Sequence, residues 1–485
     1  MSADTTTRFF RSTGAATFSQ AWRVGVTFLT TYLLMRQVSE GAWGIYDWTV
    51  TIFLVLGALR DLGLLYHVIR LKPRPYGNVL AVEVGWGALL AIGTFLGADQ
   101  IAHLFKGAGG DVAPVIRAFS LYLFLEGLSS VPRIYFDAEL QVGRTVLPEI
   151  VRNLLYATTS LVLAYQGYGV WSMVVGLLVG MAYYTAHLWI RAWPTIPLLY
   201  ERGKNWALIR PSLPLATIWL LAILARHIDP LLLAGFDLDK ETVGLYTRSY
   251  FFAFLVTVTL VPAITRVLYP ALVEYSEDPD KLSEAYHLAT VLVLTLEAPV
   301  AAFLFVNPDT FFRIFGAQWV AGAGFLRVLS IAPLIDPFSR LGGEILKVYH
   351  RDRVWIVSLV LTLLTFAFAG LFLIGRLGPI GMAWANYLPI GGMVMAWGVW
   401  KIAPAPFWRL VRDIGVIYVA PVLPFLAAYL AAGDRPWLRF GLSIAAAILT
   451  TAFYWWKFGH SFVAFFRGRS PGDSMPVAPA LDRID

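Results

Sequence analysis

The chain has 485 residues, 58% hydrophobic and only 14% charged, with a net charge of +7 and a mean hydropathy of +0.66. Soluble globular proteins carry about 25% charged residues, so this composition excludes a water-soluble enzyme and describes an integral membrane protein. Without cysteine there is no disulfide framework, thiol nucleophile or thiolate metal site, and the seven histidines lack ligand spacing.

Met1 to Arg11 is polar, and no small-residue cleavage site precedes the first long apolar stretch, so no removable signal peptide is expected. A bilayer crossing takes roughly 20 apolar residues. On that basis the chain is expected to be an all-α polytopic membrane protein of about fourteen transmembrane helices. They fall near 14–36, 43–68, 78–98, 113–132, 148–166, 170–190, 212–234, 244–266, 287–307, 321–346, 355–374, 379–399, 413–431 and 438–458. Basic residues cluster in alternate connections: Arg70, Lys72 and Arg74; Arg133 and Arg144; Arg191, Arg202, Lys204 and Arg210; Lys347, Arg351 and Arg353; Lys401, Arg409 and Arg412. The opposite connections hold little beyond Lys106, Lys240, Arg313, Arg376 and Arg435, which places both termini in the cytoplasm by the positive-inside rule. This pattern accounts for the positive charge without a nucleic-acid partner. No connection exceeds about 20 residues, too few for an extramembrane catalytic fold, and no P-loop is present. The chain reads as a non-enzyme that works within the membrane. Between the eighth and ninth spans, Asp278 can cap a short surface helix that begins at Pro279. His460 to Arg469 reads as an interfacial amphipathic anchor, and Pro471 to Asp485 as a disordered tail.

The two halves echo each other. Gly44-Ile45-Tyr46 opens the second span and Gly244-Leu245-Tyr246 the eighth, while Gly167-Tyr168-Gly169-Val170-Trp171 and Gly378-Pro379-Ile380-Gly381-Met382-Ala383 open the sixth and twelfth. Equivalents separated by an even number of spans share one orientation, so they imply a parallel repeat of two pseudo-symmetric six-helix lobes. The expected organisation is an N-terminal lobe over 1–200 and a C-terminal lobe over 201–402. An appended helix pair at 403–458 and an interfacial segment with tail at 459–485 complete the chain.

Ionisable residues inside spans are functional candidates, because an Arg or Asp at a helix centre costs roughly 2.5 to 3.5 kcal/mol on insertion scales. In the first span Gln20, Arg23, Thr27 and Thr30 share one helical face. Arg23 falls roughly 13 Å from the cytoplasmic end of its span, at 1.5 Å per residue. Arg60 lies at a similar depth, Arg226 in the outer half and Arg248 nearer the outer face. Such a ladder suits a phosphate-bearing substrate, since arginine keeps its charge and presents a fork to phosphate oxygens. Arg226 with Asp229, and Arg340 with Glu344, also have the spacing of structural pairs, and Arg117 can snorkel to the surface. Asp61, Glu83, Glu126, Asp229 and Glu297 are positioned to couple transport to H+ or Na+, or to neutralise the arginines. Trp43, Trp171, Trp355 and Trp437 suit an interfacial belt, and Gly176 with Gly180 a packing face.

These landmarks resemble the Wzx-type polysaccharide flippases of the MOP exporter superfamily. The resemblance rests on Gly44-Ile45-Tyr46 through Asp61-Leu62-Gly63-Leu64, on Gly167 through Gly176, and on Val243-Gly244-Leu245-Tyr246 leading to Arg266-Val267-Leu268-Tyr269-Pro270-Ala271-Leu272. Phe315-Gly316-Ala317-Gln318-Trp319, followed by Leu326-Arg327-Val328-Leu329, extends it, so that it covers roughly residues 14 to 400. It implies a V-shaped transporter of the bacterial inner membrane, with no cofactor. The implied activity is to move an undecaprenyl-pyrophosphate-linked oligosaccharide from the cytoplasmic to the periplasmic leaflet by alternating access, for lipopolysaccharide or exopolysaccharide synthesis. Membrane lipids, a polysaccharide polymerase and export machinery are the implied partners, and Arg23, Arg60 and Arg248 match, by span, cavity arginines of the related peptidoglycan-precursor flippases. The alternative is an ion-coupled multidrug or metabolite antiporter of the same superfamily, which for a cation would need a more acidic cavity.

Overall fold

The computed structural model describes residues 22, 25–69, 71–107, 109–139, 141, 143–236, 238–335, 338–402 and 407–466. All named regular structure among them is helical. Residues 25–37 form α1. There follow α2 (Glu40–Arg60), α3 (Leu64–Val68), α4 (Tyr76–Leu96), α5 (Ala98–Ala102), α6 (Val112–Ala138), α7 (Gly143–Tyr165), α8 (Val170–Ala192), α9 (Asn205–Ile209), α10 (Leu213–Gly235) and α11 (Lys240–Ala253). The chain continues with α12 (Leu255–Glu274), α13 (Pro279–Val306), α14 (Pro308–Phe315), α15 (Ala323–Ile335), α16 (Phe338–Val348), α17 (Asp352–Thr365), α18 (Leu371–Leu377) and α19 (Ile380–Ala385). The last helices are α20 (Ile390–Ile402), α21 (Phe407–Val419), α22 (Val422–Ala432) and α23 (Pro436–Phe466).

Among the described residues ten helices are long and apolar enough to cross a membrane. The count is eleven when α11 and the start of α12, bent by 44° where they meet, form one crossing. Three of the predicted spans account for the shorter count. The first begins in residues outside the described set. The fifth is an unbroken helix, α7, but Arg144, Glu149 and Arg152 make it more polar than the helices counted. The twelfth is split into α19 and α20 on either side of 386–389, where Pro389 lacks the N–H needed to continue a helix.

Two connections differ from expectation. Asp278 does cap a helix at Pro279, its carboxylate accepting the Lys281 N–H at 3.2 Å. That helix is not a short surface element, however. It runs on as the 28-residue α13, through Pro299, because Leu282, Ala285, Tyr286, Leu288 and Ala289 are buried and join it to the apolar span. Likewise α23 continues from Pro436 through His460 to Phe466, so the described part of the expected anchor prolongs the last span. Residues 467–485 lie outside the described set.

The described chain gathers into two compact units that are not consecutive in sequence. One comprises residues up to Arg248 with Phe312–Gly322 and Leu363–Ala385. The other comprises Ser249–Phe311, Ala323–Thr362 and the chain from Asn386 onward. In the first, Leu64, Val79, Val131, Phe136, Met181 and Leu188 form a buried core. In the second, Leu272, Leu282, Leu294, Ile345, Ile417 and Tyr454 do so around α13.

Within the first unit the repeated Gly-x-Tyr openings meet. A Cβ on Gly44 would lie 1.9 Å from the Lys240 carbonyl oxygen and 3.0 Å from the Gly244 nitrogen; one on Gly244 would lie 2.0 Å from the Glu40 oxygen and 3.0 Å from the Gly44 nitrogen. The reciprocity, at a constant offset of 200 residues, makes α2 and α11 cross with local two-fold symmetry at a distance only two glycines permit. Gly176 and Gly180 serve α8 in the same way, with Ser160 and Arg152 of α7 occupying the space a side chain would need. Gly44→Val and Gly244→Val are each expected to lower the midpoint of thermal unfolding in detergent, overpacking costing about 1–3 kcal/mol. Gly441→Ala, where nothing lies within 4 Å, serves as the control; equal midpoints for all three would refute the crossing.

Candidate functional site

Two charge clusters lie within the first unit. The first is built where α2 ends against α4 and α6. Gly87 and Gly127 flank the passage taken by the Arg60 methylenes, and a Cβ on either would be in ordinary contact with Arg60 Cδ, at 3.6–3.7 Å. The guanidinium reaches through it: Nη1 donates to Glu83 Oε2 at 2.7 Å, and Ser130 Oγ donates to the same oxygen at 2.8 Å. Arg60 and Glu83 are buried, while Glu126, 3.8 Å from Arg60 Nε, is one-third exposed. A buried ion pair needs such further hydrogen bonds to offset the loss of hydration.

Beside the pair opens a cavity of about 340 Å³ lined by α2, α6, α8 and α10. Its polar wall carries Arg60, Asp61, Glu126 and Arg133, and its rings are Tyr46, Phe53, Phe119, Tyr122 and Trp219. Arg133 is exposed and makes no ion pair among the described residues. The sequence places it in a cytoplasmic connection, just beyond the fourth span at 113–132. In the structure Pro132 lies inside α6, so that helix extends to Ala138 and carries Arg133 onto the cavity wall. Residues of this kind, a few convergent polar groups among aromatic rings, are those of a small-molecule site.

The second cluster sits one turn inside the Gly44–Gly244 crossing. Arg248 Nε donates to Asp47 Oδ2 at 2.9 Å and Nη2 to Oδ1, Thr247 Oγ1 donates to Oδ2 at 2.7 Å, and the guanidinium lies 4.2 Å from the Trp43 ring centre. Asp47, Thr247, Arg248 and Trp43 are all buried. Trp43 therefore stacks on a cation inside the protein rather than joining the interfacial belt, whereas Trp171 and Trp437 are exposed. Sequence reading passed over Asp47, whose only signal was its place directly after the repeated Gly-Ile-Tyr.

The remaining candidates are dispersed. Gln20 and Arg23 lie outside the described residues. Thr27 is exposed and Thr30 buried on α1. Asp61 ends α2, its Oδ1 accepting the Gly63 N–H at 3.0 Å. Asp229 is buried beside the kink at His227 and accepts the Tyr246 hydroxyl at 2.7 Å, while Arg226 is exposed. In the second unit, Glu297 is buried and accepts the Thr257 hydroxyl at 2.6 Å. Arg117 pairs with Asp99 at 2.7 Å. Glu344 pairs with Lys347 at 2.9 Å, the Arg340 side chain being outside the described set. His287 and Asp413, buried 3.2 Å apart on α13 and α21, form a further pair that the sequence did not suggest.

Residues 33–323 match the protein family described as polysaccharide biosynthesis protein. The chain is similar to the lipopolysaccharide biosynthesis protein WzxC of Escherichia coli, 24% identical over 372 residues and 74% of either chain. It is also similar to the succinoglycan biosynthesis transport protein ExoT of Rhizobium meliloti, 21% identical over 334 residues, 68% of this chain and 67% of that one. Among solved structures, the lipid II flippase MurJ in an inward closed conformation has the same fold, with a TM-score of 0.71 at 16% identity, over 94% of this chain and 100% of that one. An inward-facing multidrug resistance MATE transporter of the MOP superfamily follows at 0.63 and 18% identity, over 80% of this chain and 96% of that one.

Asp47→Asn and Arg248→Gln should each destabilise the protein by about 3–5 kcal/mol, because each removes one member of a buried ion pair. The double substitution should cost less than the sum of the two. Additive losses in a thermal double-mutant cycle would show the pair to be uncoupled.

Proposed function

Because the chain belongs to the polysaccharide biosynthesis protein family and is a multi-pass membrane protein with the fold of MOP-superfamily transporters, we propose that it flips a polyprenyl-pyrophosphate-linked oligosaccharide across the bacterial inner membrane, from the cytoplasmic to the periplasmic leaflet. The observation that carries this reading is the cavity in which Arg133 stands open beside Glu126, Asp61, Tyr122 and Trp219. Aromatic rings stack on the apolar faces of sugars, carboxylates accept sugar hydroxyls, and an unpaired guanidinium takes phosphate oxygens in a bidentate fork. Arg60 is engaged with Glu83, so its part is to position the wall. On sequence grounds the polar face of the first span, with Gln20, Arg23 and Thr27, completes the phosphate side. With both termini cytoplasmic, the two lobes would expose this site to each leaflet in turn. The α2–α11 crossing, latched by Asp47 and Arg248, must then separate in one of the two states. Coupling to H+ or Na+ is assigned to the carboxylates within the spans, among them Asp229 and Glu297, each of which accepts a hydroxyl hydrogen bond. The antiporter reading is weaker, because a cation exporter calls for an acidic cavity and here two arginines balance two carboxylates.

The test is complementation of a flippase-deficient strain at matched membrane expression, reading surface polysaccharide and unflipped lipid-linked intermediate. Wild type should restore polysaccharide. Arg133→Ala and Arg23→Ala should each reduce it at least about tenfold, the size of a lost charge-assisted hydrogen bond. Arg133→Lys should recover little, since a point charge does not reproduce the fork. A fully active Arg133→Ala would remove the cavity from the substrate path. Failure of wild type to clear the intermediate would overturn the flippase reading itself.

A further inference from the structure

We propose that the second unit holds one anionic phospholipid of the surrounding bilayer in an apolar groove that ends on two arginines, a site separate from the transport cavity. The groove has a volume of about 720 Å³ and lies among α13, α15 and α22, with Arg439 of α23 at its end. Its walls are Ala302, Ile331, Leu334, Phe425 and Leu426. Along α13 it runs from Ala298 to Val306, about 12 Å at 1.5 Å per residue. That is close to half of the roughly 30 Å hydrocarbon thickness of a bilayer, the depth of one leaflet. At the inner end the Tyr418 hydroxyl donates to the Leu334 carbonyl, leaving a closed, satisfied wall.

The other end is different. There α13 finishes and α15 and α23 begin, and Arg327 and Arg439 line the groove together. Arg439 is half-buried, its guanidinium 5.4 Å from the Tyr429 ring centre, and its buried Nε has no hydrogen-bond partner among the described residues. Arg327 has only a long, exposed contact of 3.3 Å with Asp309. A buried donor without an acceptor is unfavourable, and exposed ion pairs contribute little. A phosphate at this point supplies acceptors to both guanidiniums, while its acyl chains fill the groove below. Two arginines against the single carboxylate of Asp309 leave a net positive charge, which selects an anionic headgroup over a zwitterionic one. The one-leaflet depth selects an acyl chain over a polyprenyl chain several times as long. Leu423 and Leu430, strongly exposed on α22, keep this helix in contact with lipid.

Full-length protein in nanodiscs of mixed phosphatidylglycerol and phosphatidylcholine, analysed by native mass spectrometry, tests the site. Wild type should retain phosphatidylglycerol over phosphatidylcholine by at least about tenfold, as charge-assisted bonds to phosphate imply. The double variant R327Q/R439Q should lose that preference, whereas R376Q, which removes a charge from an exposed arginine elsewhere, should keep it. Ala302→Trp, which fills the groove and leaves both arginines, should lose the retained lipid, so a folding defect in R327Q/R439Q does not decide the matter. The proposal is overturned if R327Q/R439Q keeps the preference, if R376Q loses it equally, or if equimolar undecaprenyl phosphate displaces phosphatidylglycerol. The last result would assign the groove to a prenyl carrier. It would be distinguishable from failure of the flippase reading, which complementation measures independently.

Discussion

A guanidinium inside a bilayer keeps its charge, and a charge in hydrocarbon has to be neutralised and hydrogen-bonded by the protein itself. The first unit is arranged around that constraint. Arg60 threads between Gly87 and Gly127 to reach a carboxylate that a serine also satisfies. Arg248 closes a two-pronged contact on Asp47 with Thr247 on the same oxygen and an indole on its face. Such pairs contribute little net stability compared with apolar residues of the same shape, but breaking one is costly. They therefore act as registers, holding α2 against α4, α6 and α11 in one arrangement.

Because these arginines are engaged, the chemistry available to a ligand comes from what remains open. Arg133 is the exposed cation of the cavity, and Glu126, also placed near Arg60, keeps part of its surface accessible. A transporter needs both kinds of group. Satisfied pairs hold the walls, and open ones exchange water for substrate at small cost. The Asp47–Arg248 pair stands between the two roles, since it locks a crossing that also has to open if the site is to face both leaflets. A pair with well-formed bonds and a nearby two-glycine contact is suited to such two-state behaviour, because packed interfaces switch between discrete arrangements rather than deform continuously.

The second unit follows the same physics with less charge. Its α17 opens the span Asp352–Leu377, the least buried of those counted, at 11%. Its polar groups are found in pairs, Glu297 with Thr257 and His287 with Asp413. Asp413 comes from an appended span to meet α13.

The sequence by itself determined the class of protein, the positions of most spans, the cap at Asp278, the Gly-x-Tyr repeat and the family resemblance. Each rests on local signals, such as apolar runs of bilayer length, turn residues and the spacing of glycines, which need no knowledge of neighbours. What tertiary structure decided was which charges are spent and which are open. Arg60 and Arg248 look alike in sequence, both inside spans, and Arg133 reads as a residue of a connection. Their partners lie 23 residues away for Arg60 and 201 for Arg248, while Arg133 is carried onto the cavity by a helix that continues through its own proline. Long-range neutralisation, not residue type, separates an engaged charge from an open one.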